Sequence, residues 1–330
     1  MREQILQFPS QLSKGAEVAR NVKIDKPYNK VVICGMGGSI MPGMMLLTYK
    51  EHKNKGPAPY DAGLVGHRLV PGPGVPIIIN NNYDLPSDVN VNDLVICVSW
   101  SGTTEETISA FKTAMKRGIK PIAITKGGEL GQLAKDNNAQ LVILPDQPTY
   151  PRLSVGYMVG ALFTILGLEK ELNINLDSQS HENTGKELAE SIGSATPLIY
   201  TSYSWRKLGA LWKANFNETA KTPAYYNYVP AMTHDELAMY IRKGLPFRPI
   251  IFKDSKDLPH YVRDLNATIA ILDKQEYNCS IVNLSSSDNP LETVLSNYIL
   301  ALWTSFYMAQ KIGVDPEKIE LIERYKELKK

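Results

Sequence analysis

Apolar and polar positions fall into regular blocks along the chain. After an amphipathic start, the first continuous apolar run, Val31–Cys34, is short and β-branched, the composition of a strand buried on both faces. Similar runs recur at Ile77–Asn80, Leu94–Val98, Ile122–Thr125 and Leu141–Ile143. Helical periodicity fills the gaps: from the glycine-rich residues 35–39 to about Tyr49, over Glu105–Lys116, and more briefly over 129–136. Alternating strands and helices predict an α/β fold, a mainly parallel sheet flanked by helices on both faces. With right-handed connections, the glycine-rich and hydroxyl-rich turns lie at the carboxyl ends of their strands, where such sheets bind ligands.

The stretch 146–151, DQPTYP, is the strongest break in the pattern and predicts two domains, 1–152 and 153–330. The second half resumes with an apolar helix from Ser154, a strand near 198–201 and a helix from Ser204 to about Phe216. A strand near 250–252, a helix from Leu258, a strand over 279–284 and a long helix over 292–312 follow. A charged terminal helix starts at Pro316, a residue suited to a first helical turn. The halves share a plan but no repeated words.

Composition narrows the function classes. The 36 Lys+Arg nearly balance 34 Asp+Glu, so no nucleic-acid or anionic-membrane partner is expected. Two apolar runs approach membrane length, but 154–168 is too short, and 293–310 carries Ser296, Asn297, Thr304 and Ser305. Both read as core helices. The N-terminus has no continuous apolar segment of a signal peptide. Cys34, Cys97 and Cys279 each fall in a run read as a strand, which predicts buried thiols and a cytoplasmic location.

Candidate chemistry concentrates in a few places. The strand at Leu94–Val98 breaks into Ser99, Ser101, Gly102, Thr103 and Thr104 before a helix. Thr103 and Glu106 have capping-box spacing. Hydroxyls, orphan N–H groups and the helix dipole then share one small space, an anion pocket without the Lys of a Walker loop. A merely polar turn is the competing reading. Residues 35–39, GMGGS, have Ile40 at the third glycine position of a dinucleotide fingerprint. Gly37, Gly38 and Ser39 suit a smaller ligand approached by backbone N–H groups.

Glu218 follows the amphipathic segment 205–216, and Arg152 stands at the domain break. Thr233 and Glu236 form a second capping-box pattern that places His234 in a helix first turn, where the dipole disfavours the imidazolium. Thr304 and Lys311, seven residues apart, share one face of the long helix. By themselves Glu218 and His234 read as structural, Arg152 reads as readily as a surface charge as a substrate clamp, and nothing in the spacing of Thr304 and Lys311 makes either a ligand.

Together they carry a resemblance. The words CGMGGS, VSWSGTTEET, PRLSVGY, NET, THDEL and the late Lys of AQKIGVDP resemble the bifunctional phosphoglucose/phosphomannose isomerases, with two sugar-isomerase (SIS) domains. The match runs along most of the chain. That family usually reads His-Asn-Glu where this chain has His234-Asp235-Glu236, a departure that keeps the histidine. The resemblance implies that Ser99, Ser101 and Thr104 bind phosphate, while Gly37, Gly38 and Ser39 hold the sugar end. It implies Glu218 as base, Arg152 as stabiliser of developing charge, and His234 from a partner subunit acting with Lys311 in ring opening. Thr304 matches a position that is threonine in the bifunctional enzymes and a larger amide in glucose-only ones.

The implied reaction interconverts glucose 6-phosphate or mannose 6-phosphate with fructose 6-phosphate through a cis-enediolate. The implied assembly is a homodimer, and no metal or redox cofactor is called for. Two rivals stand beside it: an isomerase of another phosphosugar, and a non-catalytic SIS sensor. A sensor needs the hydroxyl turn but not Glu218, Arg152 and His234 together.

Overall fold

The structure, a computed structural model, describes residues 1–24, 26–53, 67–68, 75–147, 150–284 and 287–329. They form two compact units: residues 7–175 with 289–292, and residues 176–288 and 293–330 with 1–6. The helix expected to open the second domain lies in the first unit. The apolar stretch after the proline-rich break folds back into that core, so the chain passes between units at 175/176 and not after Arg152.

The elements run α1 (Arg2–Leu6), α2 (Phe8–Ala19), β1 (Val31–Cys34), α3 (Met41–Lys53), β2 (His67–Arg68), β3 (Ile77–Asn80), β4 (Leu94–Val98), α4 (Glu105–Lys116), β5 (Ile122–Thr125), α5 (Gly128–Asp136), β6 (Leu141–Ile143) and α6 (Val155–Ile165). In the first unit β2-β3-β1-β4-β5-β6 make one sheet, parallel except for β2. β1, β3, β4 and β5 are buried at every position, as their continuous apolar runs require. Helices α4 and α5 cover one face with Ile108, Phe111, Leu130 and Ala134. α2 and α6 pack so closely that a Cβ on Gly15 would stand 2.1 Å from the Tyr157 carbonyl oxygen. A Cβ on Gly160 would stand 2.1 Å from the Leu12 carbonyl oxygen. Only glycine allows that approach.

The chain continues with α7 (Glu182–Ile192), β7 (Thr196–Ser202), α8 (Arg206–Glu218), β8 (Tyr225–Val229), β9 (Phe247–Lys253), α9 (Pro259–Lys274), β10 (Ser280–Asn283), α10 (Pro290–Ile312) and α11 (Glu320–Leu328). The second unit's sheet, β10-β9-β7-β8, is parallel throughout. Trp212 of α8 packs edge-on to Phe252 of β9, with ring centroids 4.9 Å apart, and donates to the Asn297 carbonyl of α10 at 2.9 Å. α8 leads from the carboxyl end of β7 to the amino end of its parallel neighbour β8, so it runs back towards the strands' amino ends.

Three local expectations differ. Cys279 lies just outside β10 and is half-buried. Pro316 starts no helix: the Asp315 carboxylate accepts from the Glu317 and Lys318 N–H groups, at 2.8 and 3.3 Å, and the helix begins at Glu320. Two elements of the second unit, α7 and β8, have no counterpart in the sequence pattern. Among the described residues no helix is long and apolar enough to cross a membrane.

Candidate active site

In the first unit the chain leaves β1 towards β3 on one side and later returns to β4 on the other. That reversal makes the β1/β4 boundary a switch point, and the turns leaving the two strands stand there together. Gly37–Ser39 forms a 3-10 turn after β1, with Gly37 at φ +51°. The buried Ser39 hydroxyl accepts the Trp100 backbone N–H at 2.9 Å and so joins this turn to the one after β4. A Cβ on Gly38 would lie 2.8 Å from the Arg152 backbone nitrogen, so this glycine lets the Pro151–Leu153 turn close onto the site.

The hydroxyl turn is arranged around Gly102, at φ +71°. A Cβ there would stand 1.8 Å from the Gly127 carbonyl oxygen, so the turn rests directly on the glycine pair that opens α5. The Gly102 carbonyl accepts the Leu130 N–H at 2.8 Å. Ser99, wholly buried, donates to the Thr104 hydroxyl at 3.0 Å and accepts the Gly102 N–H at 3.1 Å. Ser101 pairs with the Thr103 hydroxyl at 3.0 Å and accepts the Thr103 N–H at 3.2 Å. Thr104, not Thr103, stands at the N-cap of α4, and no side chain caps it. The capping-box reading is therefore corrected: the Thr103 hydroxyl pairs with Ser101 and not with the start of α4.

Arg152 is fully buried, with its guanidinium 5.1 Å from the Tyr150 ring centroid. Beneath the two turns, Cys34 and Cys97 are register partners on β1 and β4. A hydrogen bond with Cys34, then burial, raises the Cys97 thiol well above its ordinary value and keeps it un-ionised.

The second unit holds the remaining candidates. Glu218 is the last residue of α8 and is half-buried; the Lys221 ammonium donates to its backbone carbonyl at 2.6 Å. His234 is exposed at the end of a 3-10 turn, Ala231–His234, beyond the carboxyl end of β8. It does not occupy a helix first turn. Thr233 donates to the Pro230 carbonyl at 2.6 Å, and Asp235 accepts the Glu236 N–H at 2.6 Å as cap of the next turn. Thr304 is fully buried, its hydroxyl donating to the Leu300 carbonyl at 2.8 Å, and Lys311 is exposed one residue before the end of α10.

Within this unit the candidates occupy two poles. Asp315, just past α10, is held below its ordinary carboxylate range chiefly by the Glu317 N–H, with Lys221 among the further attractions. The ends of α8 and α10, and with them Glu218 and Lys311, therefore face the amino ends of the strands. His234 follows the carboxyl end of β8.

A relative from Aquifex aeolicus, a bifunctional phosphoglucose/phosphomannose isomerase, is 32% identical over 312 residues, covering 91% of this chain and 90% of its own. The chain belongs to that family. A second bifunctional phosphoglucose/phosphomannose isomerase, from Caldicellulosiruptor bescii, is 29% identical and spans 72% of this chain and 71% of its own. The model of the bacterial phospho-glucose isomerase C-terminal SIS domain matches residues 181–328. A solved structure of a hypothetical protein from Thermus thermophilus superposes with TM-score 0.77 at 14% identity, covering 99% of this chain and 89% of that one. That likeness concerns the fold, two SIS-type sheets flanked by helices.

For this member of the bifunctional phosphoglucose/phosphomannose isomerase family, sequence reasoning missed three parts of the first unit's turns. They are the Trp100 N–H, the seat at Gly127–Gly128, and Tyr83, which donates to Glu105 of the α4 first turn at 3.2 Å. Only the glycine pair, opening a helix after an apolar run, left a signal in the sequence.

Proposed function

We propose that this chain is an aldose–ketose isomerase that interconverts glucose 6-phosphate or mannose 6-phosphate with fructose 6-phosphate. The observation that carries the reading is the joining of the two turns at the β1/β4 switch point through the Trp100–Ser39 hydrogen bond. Ser99, Ser101 and Thr104 hold the phosphate with the α4 N–H groups, and Gly37, Gly38 and Ser39 hold the sugar end. Their present hydrogen bonds are to one another and to nearby backbone, so an arriving dianion finds donors that turn towards it.

His234, with Lys311, moves the proton that opens the sugar ring, a general acid–base task that an imidazole's two ring nitrogens suit. Glu218 then removes the C2 proton and returns it at C1, so one carboxylate serves both carbons. Arg152, fixed by burial, stabilises the enediolate charge, which exists only after proton abstraction. Mannose 6-phosphate gives the same enediolate after rotation about C2–C3, for which Thr304 leaves room.

The two poles of the second unit support a homodimer. α8 spans 13 residues, about 20 Å, and carries Glu218 away from the strand ends that lead to His234. One chain's His234 then serves its partner's Glu218, and an isologous dimer closes the exchange. The free thiols Cys34, Cys97 and Cys279 support a reducing, cytoplasmic setting.

Glu218→Gln keeps the side chain's shape and removes the proton acceptor. It should abolish turnover of both aldoses while phosphosugar binding persists. Mixed with a His234→Ala chain, it should recover part of the activity through hybrid dimers with one intact site. Turnover close to wild type in the single variant would discard Glu218 as base. No recovery after verified subunit exchange would discard the donated histidine.

A further inference from the structure

The second sheet has a switch point of its own. From β7 the chain crosses to β8 on one side, then returns to place β9 on the other, so the β7/β9 boundary corresponds to β1/β4 in the first sheet. The turn after β7 again presents serine hydroxyls. Ser202 and Ser204 stand at the carboxyl end of β7 with 1% and 6% of their surface exposed. A tryptophan again ties the two turns, as Trp205 Nε1 donates to Asp254 beyond β9 at 3.0 Å.

What differs is the occupant. Both serine hydroxyls donate to the carboxylate of Asp257, Ser202 to Oδ2 and Ser204 to Oδ1 at 2.9 Å. The Leu258 N–H, at the start of α9, donates to Oδ1 at 2.8 Å. Three donors from two loops thus converge on one anion that belongs to the protein. A phosphate approaching this crevice would find the donors taken and meet like charge.

We propose that Asp257 is a built-in anion that closes the second switch point, so that the chain carries one phosphosugar site and not two. The proposal takes the phosphate turn of the first unit from the function proposed above. It assigns Asp257 a role in specificity: the crevice that the fold offers a second time is withheld from phosphorylated ligands. Removing the carboxylate should leave Ser202, Ser204 and the Leu258 N–H as a vacant set of donors for an oxyanion.

The test counts inorganic phosphate sites per chain by isothermal titration and phosphorus NMR. One site is expected in wild type, none in Ser99→Ala/Ser101→Ala, two in Asp257→Gly, and one in the triple variant. Asp257→Ser, which keeps a short polar group before α9, replaces the glycine variant if that fails to fold. An unchanged count in a folded Asp257 variant overturns the proposal. So does a second phosphate in the wild-type chain that Ser202→Ala removes. A wild-type site that survives Ser99→Ala/Ser101→Ala discards the phosphate turn, while the gain at Asp257 is scored separately in the same titrations.

Discussion

The turn after β4 and the turn after β7 each border the switch point of a mainly parallel sheet, and both present serine hydroxyls at a strand's carboxyl end. In the first, Ser99, Ser101, Thr103 and Thr104 bond among themselves and to their own loop, over a glycine at φ +71°. In the second, Ser202 and Ser204 bond to a carboxylate delivered from another strand. Topology supplies the crevice in both cases. Whether the crevice is open to an anion depends on a single acidic side chain and on how tightly the backbone is seated.

The largest expected effect tests that seating. Gly102→Ala places a Cβ in the left-handed region and 1.8 Å from the Gly127 carbonyl oxygen, a backbone atom that cannot give way cheaply. The conformational penalty alone is about 1–2 kcal/mol, and the collision should bring the total to about 3 kcal/mol or more. Thermal unfolding measures it. A variant within about 1 kcal/mol of wild type would mean that the turn does not rest on Gly127–Gly128. Among the residues 202–206 no glycine is present and no backbone stands at positive φ, so no comparable sensitivity is expected there.

Of intermediate size is the contrast between the serine pairs. Ser202→Ala/Ser204→Ala leaves the Asp257 carboxylate without two donors and should cost about 1–3 kcal/mol of stability, with KM for fructose 6-phosphate nearly unchanged. Ser99→Ala/Ser101→Ala should reverse the pattern, with a smaller loss of stability and a KM raised by the equivalent of about 1–3 kcal/mol of binding. Melting temperatures and steady-state kinetics on wild type and the two double variants decide it. Equal KM effects from both pairs would erase the distinction between an open and a closed switch point.

The comparison also explains what the sequence could disclose. β1, β3, β4 and β5 were legible because strands buried on both faces must be continuous apolar runs. β8 was not: YYNYV is a sheet-edge strand with Tyr225 and Tyr226 exposed, so it lacks that run. α7 buries only Gly185, Ala189 and Ile192, too few apolar positions to announce a helix. The hydroxyl turn was readable because its chemistry lies in six consecutive residues. Asp257 was silent because its partners Ser202 and Ser204 are 55 and 53 residues away. His234 was misplaced for a local reason: Asp235, a stronger cap than Thr233, took the Glu236 N–H and moved the start of the next turn beyond the histidine.

The smallest expected effect separates the two accounts of Thr103. If Thr103 closed a capping box with Glu106, its loss would free an N–H at the start of α4, and Thr103→Ala would cost about 0.5–2 kcal/mol. In the structure Thr103 is exposed, its hydroxyl lies 3.0 Å from that of Ser101, and Thr104 holds the cap position without a side-chain bond to the helix N–H groups. The substitution should therefore change stability by less than about 0.5 kcal/mol, the range of surface changes that touch no cap. It should also release the Ser101 hydroxyl from one partner. KM for fructose 6-phosphate should then stay level or fall slightly, because Ser101 no longer gives up that contact to meet the phosphate. A clear drop in melting temperature with unchanged KM would restore the cap.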